Sequence, residues 1–479
     1  MASPRPYRRA FFLGLATGAA CFTGTLYWLV ETMTTFGGLA TPLAVVVAAL
    51  LVAYLALFPA VFAVLVARFL RAMGPIALLL AAPAWVTTEL GRQYVWDGFP
   101  WELLGYSQVT WLPIAQLASV VGVYGLSALL ALTASAAAFV IVEGVGGADR
   151  VDRRRRQWVV GVCTLLLVTV VAGWSARRLA GSDLTAEGKS VRVGVLQGNV
   201  EQDQKWDPAM VDEISERYLA MTREALATGA TFILWPETAT PFLFERDIMR
   251  GGAVRRLARE GHATLLVGSD QVEPVRTASP AEKPRHLYYN AAFLVKPDGS
   301  VGAVYRKMHL VPFGEYVPLQ RLLFFVGPIV EATGDFSAGT EPVLLPVGTH
   351  TASTAICYEV VYGDLIRESV RRGSELLTTI TNDAWYGRSS AAYQHWDQAS
   401  MRAIENGRYL ARAANTGISG FVDPYGRVLD KSGLFEQKTL VHDVRFLTGR
   451  TIYSRIGDLV AWLSLAFVVA VLLASWRVR

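Results

Sequence analysis

Six apolar stretches, five before Ser175 and one after Asp458, frame a long and more polar middle, and this distribution decides what kind of fold is open to the chain. A helix needs about 20 largely apolar residues to cross a bilayer. Residues 11–30, 41–66, 76–90, 112–142, 158–174 and 459–476 are read as spans on that measure. The third is the shortest and contains Pro83, and the fourth is long enough to tilt. Trp28, Trp158, Trp174 and Trp476 lie near span ends, where an amphipathic ring suits the headgroup level. Hydrophobic residues make up 52% of the chain and charged residues 18%, an excess of apolar material that an ordinary soluble domain does not carry.

Basic residues orient the spans. Arg5, Arg8 and Arg9 precede the first, Arg68 and Arg71 lie between the second and third, Arg150 and Arg153 to Arg156 precede the fifth, and Arg477 and Arg479 close the sequence. With five spans and then one, all fall on a single side, and positive loops stay in the cytoplasm. The loops on the other side share one arginine, Arg92; Arg177 and Arg178 dissent. The expected topology has both termini cytoplasmic and the polar middle outside. A net charge of +5 then needs no nucleic-acid partner, since arginines next to spans signal topology and suit anionic headgroups.

Between about residues 191 and 444 short apolar runs alternate with amphipathic stretches. VRVGVLQG, TFILW, ATLLVG, NAAFLV, TASTAIC and ELLTTIT read as buried strands. MVDEISERYLAMTREALATG and HWDQASMRAIENG have helical apolar spacing, the first closed by Gly229. The alternation predicts a layered α/β domain, and about 250 residues suffice for one core. The expected domains are 1–180, a membrane domain of about five helices; 190–445, the α/β domain; and 456–479, a last membrane helix.

Cys357 is the one cysteine of that middle domain, at the end of the apolar run in TASTAICYE. It is either inert packing or a nucleophile, and a lone cysteine is more often the former. Two other segments bear on the choice: LWPETATP sets Glu237 directly after an apolar run, and YRKMHLVPFGEYVP carries Lys307 and Glu315 in a loop marked by proline and glycine. A thiol with its free pKa of about 8.5 needs a base to take its proton or a cation to favour thiolate. Glu237 can serve as the first and Lys307 as the second, and the ammonium can also hold an oxyanion. His309 and His395 read as hydrogen-bonding residues, because no His/Cys cluster has metal spacing. No metal or cofactor is expected.

Together WPET, YRKMHLVPFGE and ICYE resemble the carbon-nitrogen hydrolase (nitrilase) superfamily, whose members use Glu, Lys and Cys in that chain order. LQGNVEQDQKWDP, TNDAWYG and RAIENGRYLARAANTGISG add to the likeness, which within the superfamily is strongest to the apolipoprotein N-acyltransferase family of bacterial envelopes. The resemblance implies an αββα sandwich on the periplasmic face of a bacterial inner membrane. It implies a ping-pong acyl transfer: Cys357 takes a fatty acyl chain from a phospholipid as a thioester, and the α-amine of an S-diacylglyceryl-cysteine apolipoprotein then receives it. Glu237 would be general base and acid, and Lys307 would stabilise the oxyanion. Glu315 would orient Lys307 or the amine, Tyr358 and Glu359 would shape the pocket, and Trp206 and Asn290 match site positions without a derivable role. A monomer is expected. Family members often carry eight spans, against six here with the first two absent as a pair.

VPLQRLLFFVGPIVEATG places Leu322 to Val326 between two prolines. In a tethered domain this reads as a lid reaching the interface, with Leu323, Phe324 and Phe325 as its membrane-facing residues. Two other functions compete. A tethered amidase or nitrilase would use the same triad but gives no reason for six spans. A receptor or transporter predicts a missing triad member and intramembrane charges, which the spans are read as lacking.

Overall fold

The computed structural model describes residues 6–96, 98–145, 150–275, 285–312, 314–316 and 336–477. The 322–326 lid segment, Leu323, Phe324 and Phe325 included, lies outside the described residues. The chain divides into two compact units: Met1–Leu29, Pro42–Ser182 and Thr451–Arg479 form one, and Val30–Thr41 with Asp183–Arg450 form the other.

The first unit is helical. Among the described residues, four helices are long and apolar enough to cross a membrane. They begin at Pro6, Thr41, Ala118 and Arg150. Gly14 and Gly18 let the helix Pro6–Leu26 press against Thr41–Met73: a Cβ on Gly14 would run into the Pro59 carbonyl oxygen. Small residues of this kind permit close helix approach where lipid supplies no hydrophobic drive. The expected third span is a 3₁₀ turn, Pro75–Leu80, running into a helix of only 14 residues, Ala81–Tyr94. Gly74, at φ +70°, sets that break just before Pro75. The expected fourth span is also interrupted, with a short helix Leu112–Ala115 before Ala118–Val145 and a kink at Gly122, whose missing side chain makes room for the Tyr453 ring. The reading of charge-free spans needs correction as well. Glu89 is buried within the expected third span, where it accepts hydrogen bonds from Trp85 Nε1 at 2.9 Å and the Leu104 N–H at 2.7 Å.

The second unit is a four-layer α/β domain. Its strands are β1 (Lys189–Gln197), β2 (Phe232–Leu234), β3 (Thr264–Val275), β4 (Arg285–Val295), β5 (Val301–Arg306), β6 (Leu345–Val347), β7 (His350–Ile356), β8 (Leu376–Thr381), β9 (Leu410–Ala414), β10 (Gly420–Val422), β11 (Val428–Lys431) and β12 (Lys438–Phe446). They form two six-stranded sheets in the orders β12-β1-β2-β3-β4-β5 and β11-β10-β9-β8-β7-β6. Alternation along each strand builds the layers. Val193, Val195, Phe232, Leu234, Ile356, Leu376 and Ile380 face into one core shared by both sheets. The opposite face of the first sheet, with Leu196, Ile233, Trp235 and Leu265, packs on Ile214, Tyr218, Val254 and Leu257 of the helices Val211–Ala227 and Ile248–Glu260. The outer face of the second sheet sets Ala355, Leu377 and Leu410 against Ile366, Val370, Trp396 and Ala403 of Gly363–Arg371 and Ser390–Asn406. That is an αββα sandwich, as the resemblance implied.

Within this unit β1, β2 and β3 run parallel, as do β7, β8 and β9. The carboxyl ends of parallel strands therefore gather on one edge of each sheet, where α/β domains place their sites. The segment Val30–Thr41, read from sequence as a plain connection, also belongs here: Thr32 donates its hydroxyl to the Trp385 carbonyl at 2.8 Å, and the Phe36 and Trp385 rings meet at 5.5 Å.

Candidate active site

Glu237 stands three residues past the end of β2 and Lys307 directly follows β5. The main-chain N–H of Lys307 donates to the Asn290 carbonyl at 2.9 Å, which carries the β4–β5 pairing one residue further and fixes where the lysine stem begins. Lys307 Nζ then donates to Glu237 Oε1 at 3.2 Å and to Glu315 Oε1 at 2.8 Å. Asn290 Nδ2 bridges the same two carboxylates, at 2.6 and 3.0 Å. The second oxygen of Glu237 accepts the Asn382 N–H at 2.8 Å, and that of Glu315 the Val311 N–H at 2.8 Å. Both carboxylates are thus fully engaged in a buried site.

Cys357 directly follows β7 in an elbow. Ile356 is extended, Cys357 turns to φ +53°, and a 3₁₀ turn Cys357–Val361 follows. A side chain in the left-handed region is costly and persists only where its surroundings impose it. Two groups impose it here. His395 Nε2 donates to the Cys357 carbonyl at 3.1 Å; its Nδ1 lies 3.0 Å from Asp383, which Arg412 holds at 2.9 Å. Glu359 accepts N–H bonds from Ile356 at 2.7 Å and from Met308 at 2.6 Å, and the Tyr305 hydroxyl at 2.9 Å. One buried carboxyl therefore ties the cysteine elbow to the loop that carries Lys307.

The charges are ordered by these contacts. Burial pushes Glu237 up, but the Lys307 ammonium, the Asn290 hydrogen bond and Lys205 outweigh it and hold the carboxyl below its ordinary value. Burial also opposes the charge on Lys307, yet Glu237 and then Glu315 keep it well above the usual lysine range. At Cys357 burial and the Glu237 carboxylate drive the thiol far up, against the pull of Lys307. Glu359 is pushed up to about 7 by burial, with the backbone N–H groups opposing. The resting site holds a carboxylate, an ammonium and a thiol, so the thiol reacts only if a neighbour takes its proton.

The structure brings together Glu237, Lys307, Cys357, Glu315, Asn290 and Glu359 of the residues singled out in the sequence. Tyr358 is buried beside them, its ring edge-on to Tyr362 at 5.4 Å. Trp206 is different: it is 51% exposed, whereas its neighbour Lys205 is buried and donates to the Glu237 carbonyl at 3.3 Å. Lys205, Asp383 and Arg412 were not legible as site residues, because each looks like an ordinary loop or strand charge until the fold buries it.

Residues 192–453 match the family described as carbon-nitrogen hydrolase, and residues 1–136 match the apolipoprotein N-acyltransferase N-terminal domain. A relative from Geobacter metallireducens named apolipoprotein N-acyltransferase is 41% identical over 98% of this chain and 88% of its own. The chain belongs to the apolipoprotein N-acyltransferase family. A second member, from Shewanella oneidensis, is 34% identical over 94% of this chain and 84% of its own. The chain is accordingly an acyltransferase built on a carbon-nitrogen hydrolase domain and joined to membrane helices. Among solved structures, an amidase from Nesterenkonia sp. aligns with 55% of this chain and 93% of its own, at 23% identity and a TM-score of 0.40.

Proposed function

We propose that the chain transfers a fatty acyl group from a phospholipid to the N-terminal α-amine of a diacylglyceryl-modified lipoprotein, through a thioester on Cys357. The observation that carries the reading is the resting charge order: a carboxylate on Glu237 and an ammonium on Lys307 beside a protonated thiol. In the first step Glu237 takes the thiol proton and the sulfur attacks the ester carbonyl. Lys307 holds the oxyanion until the intermediate collapses, and Glu237 returns the proton to the departing glycerol oxygen. A thioester and a lysophospholipid result. The amine then attacks the thioester, its proton passes to Glu237 and on to the leaving sulfur, and the amide product leaves the thiol restored.

Glu315 and Asn290 are assigned the holding of Lys307 and Glu237, Glu359 the joining of elbow to loop, and Tyr358 the lining of the pocket. We assign residues 190–445 to the catalytic domain, 1–180 and 456–479 to the membrane, and a monomer to the working state. Water competes with the amine, and a site closed by lipid favours transfer.

Incubation with a phospholipid of defined acyl chain is expected to add that chain's mass to the Cys357 peptide, releasable by neutral hydroxylamine. An unmodified peptide after incubation with phospholipid alone, in a preparation that transfers the chain once acceptor is added, would refute the intermediate.

The arginine clusters favour an inner-membrane protein with both termini cytoplasmic. Packing of the Val30–Thr41 segment within the catalytic unit agrees with this, since it and the catalytic domain must then share a side. Reporter fusions after residues 40 and 440 are expected to read periplasmic, and fusions after 72 and at the C-terminus cytoplasmic. Opposite signals at 40 and 440 contradict the topology.

A further inference from the structure

Lys205 lies in the loop after β1 and is only 3% exposed. Among the described residues it forms no ion pair; its Nζ donates to the main-chain oxygen of Glu237 at 3.3 Å. Burying an ammonium without a paired carboxylate is costly, so the surrounding charges must hold it there. After Glu237, Asp270 on β3 acts on it most strongly, and the Asp270 Oδ1 is buried with no hydrogen-bond partner among the described residues. Glu237 therefore stands between two ammonium groups, Lys307 on its carboxylate and Lys205 on its backbone.

We propose that Lys205 is a positioning residue for Glu237: its ammonium, on the main-chain side, keeps the carboxylate ionised and so sets the lowest pH at which the Cys357 thiol is deprotonated. The proposal rests on the reading of Glu237 as base. Several groups bear on that carboxylate from the packed elements. Lys307, just past β5, and Asn290 on β4 reach it, as does the Asn382 N–H just past β8. Cys357, Asp270 and Tyr386 interact with it at longer range. Glu315 shares Lys307 with it. Lys205 is one of the groups that hold Glu237 low. Burial pushes Lys205 itself down to about 8, with Glu237, Asp270 and Cys357 opposing, so it is mostly charged at neutral pH. The sign follows. Removing this positive charge makes Glu237 easier to protonate, and the acid limb of thioester formation moves to higher pH.

A purely structural role for Lys205, fastening the loop to the Glu237 backbone, predicts a loss of rate that is the same at every pH. The two are separated by Lys205→Gln, which keeps a donor but removes the charge, and Lys205→Arg, which keeps the charge. Thioester formation on Cys357 is followed by single-turnover mass spectrometry from pH 3.5 to 9 in the full-length protein in detergent with phospholipid. Lys205→Gln is expected to shift the acid limb up by about one pH unit, with the plateau rate within a few fold of the parent, and Lys205→Arg to leave the limb in place. If Lys205→Gln does not accumulate, Lys205→Met is read in the same way. A uniform loss without a shift overturns the proposal, as does a shift in Lys205→Arg equal to that in Lys205→Gln. Failure of the unsubstituted protein to form any thioester overturns the reading of the site, and this assignment with it.

Discussion

Cys357→Ala is expected to form no thioester and to lose acyl transfer by on the order of a thousandfold or more, because the covalent step disappears and only binding and oxyanion contacts remain. The protein should still fold. Alanine adopts the left-handed elbow at φ +53° at a cost similar to that of cysteine, and the bonds that impose it, from His395 and Glu359, do not involve the thiol. Cys357→Ser should be almost as inactive. Its hydroxyl is a poorer nucleophile and is far harder to deprotonate than a thiol, and the same burial and the same Glu237 carboxylate that raise the thiol act against an alkoxide. The measurement is transfer of a labelled acyl chain to a diacylglyceryl peptide in a background lacking the parent enzyme, together with the mass of the residue 357 peptide. Substantial transfer by Cys357→Ala would remove the thioester from the mechanism.

The strands that flank the triad were legible because they are uncharged on both faces and rich in β-branched and apolar residues: FIL of β2, LLTTIT of β8 and the STAI of β7 are wholly buried, and such runs announce themselves. β9 was not legible. LARAA has three alanines and an arginine, little that favours a strand by composition, yet Arg412 is buried there because Asp383 and His395 receive it. Tertiary pairing overrides local preference at that position. The same holds for Lys205 against Trp206. The family motif drew attention to the aromatic residue, while burial beside Glu237 depends on how the fold sets the loop after β1 against the segment that follows β2, which no local pattern encodes. Span boundaries failed for a different reason. Hydropathy counts apolar residues and is blind to backbone conformation, so most of the 3₁₀ turn Pro75–Leu80 and the break at Gly122, at positive φ, were absorbed into continuous spans. The triad itself was read from motif likeness; the sheets then account for why three distant segments meet.

Glu237→Gln is expected to slow thioester formation by about 10²- to 10⁴-fold, the usual contribution of a positioned general base. The amide cannot accept the thiol proton. It also withdraws a negative charge that keeps Lys307 protonated and the thiol un-ionised, so some activity should return as the solution becomes alkaline. The residual rate should then climb with pH across the range where the parent enzyme is level, which marks a lost base rather than a lost fold. Glu315→Gln provides the contrast. Glu315 also accepts from Lys307 and Asn290, but its other oxygen is occupied by the Val311 N–H of its own loop, so it anchors Lys307 and, among the described residues, makes no hydrogen bond to the cysteine elbow. That variant is expected to form the thioester and to be impaired in passing the chain to the amine. Single-turnover acylation and a chase with diacylglyceryl peptide separate the two steps. Normal acylation by Glu237→Gln would exclude it as the base, and a Glu315→Gln enzyme equally slow in acylation would assign both carboxylates to the same step.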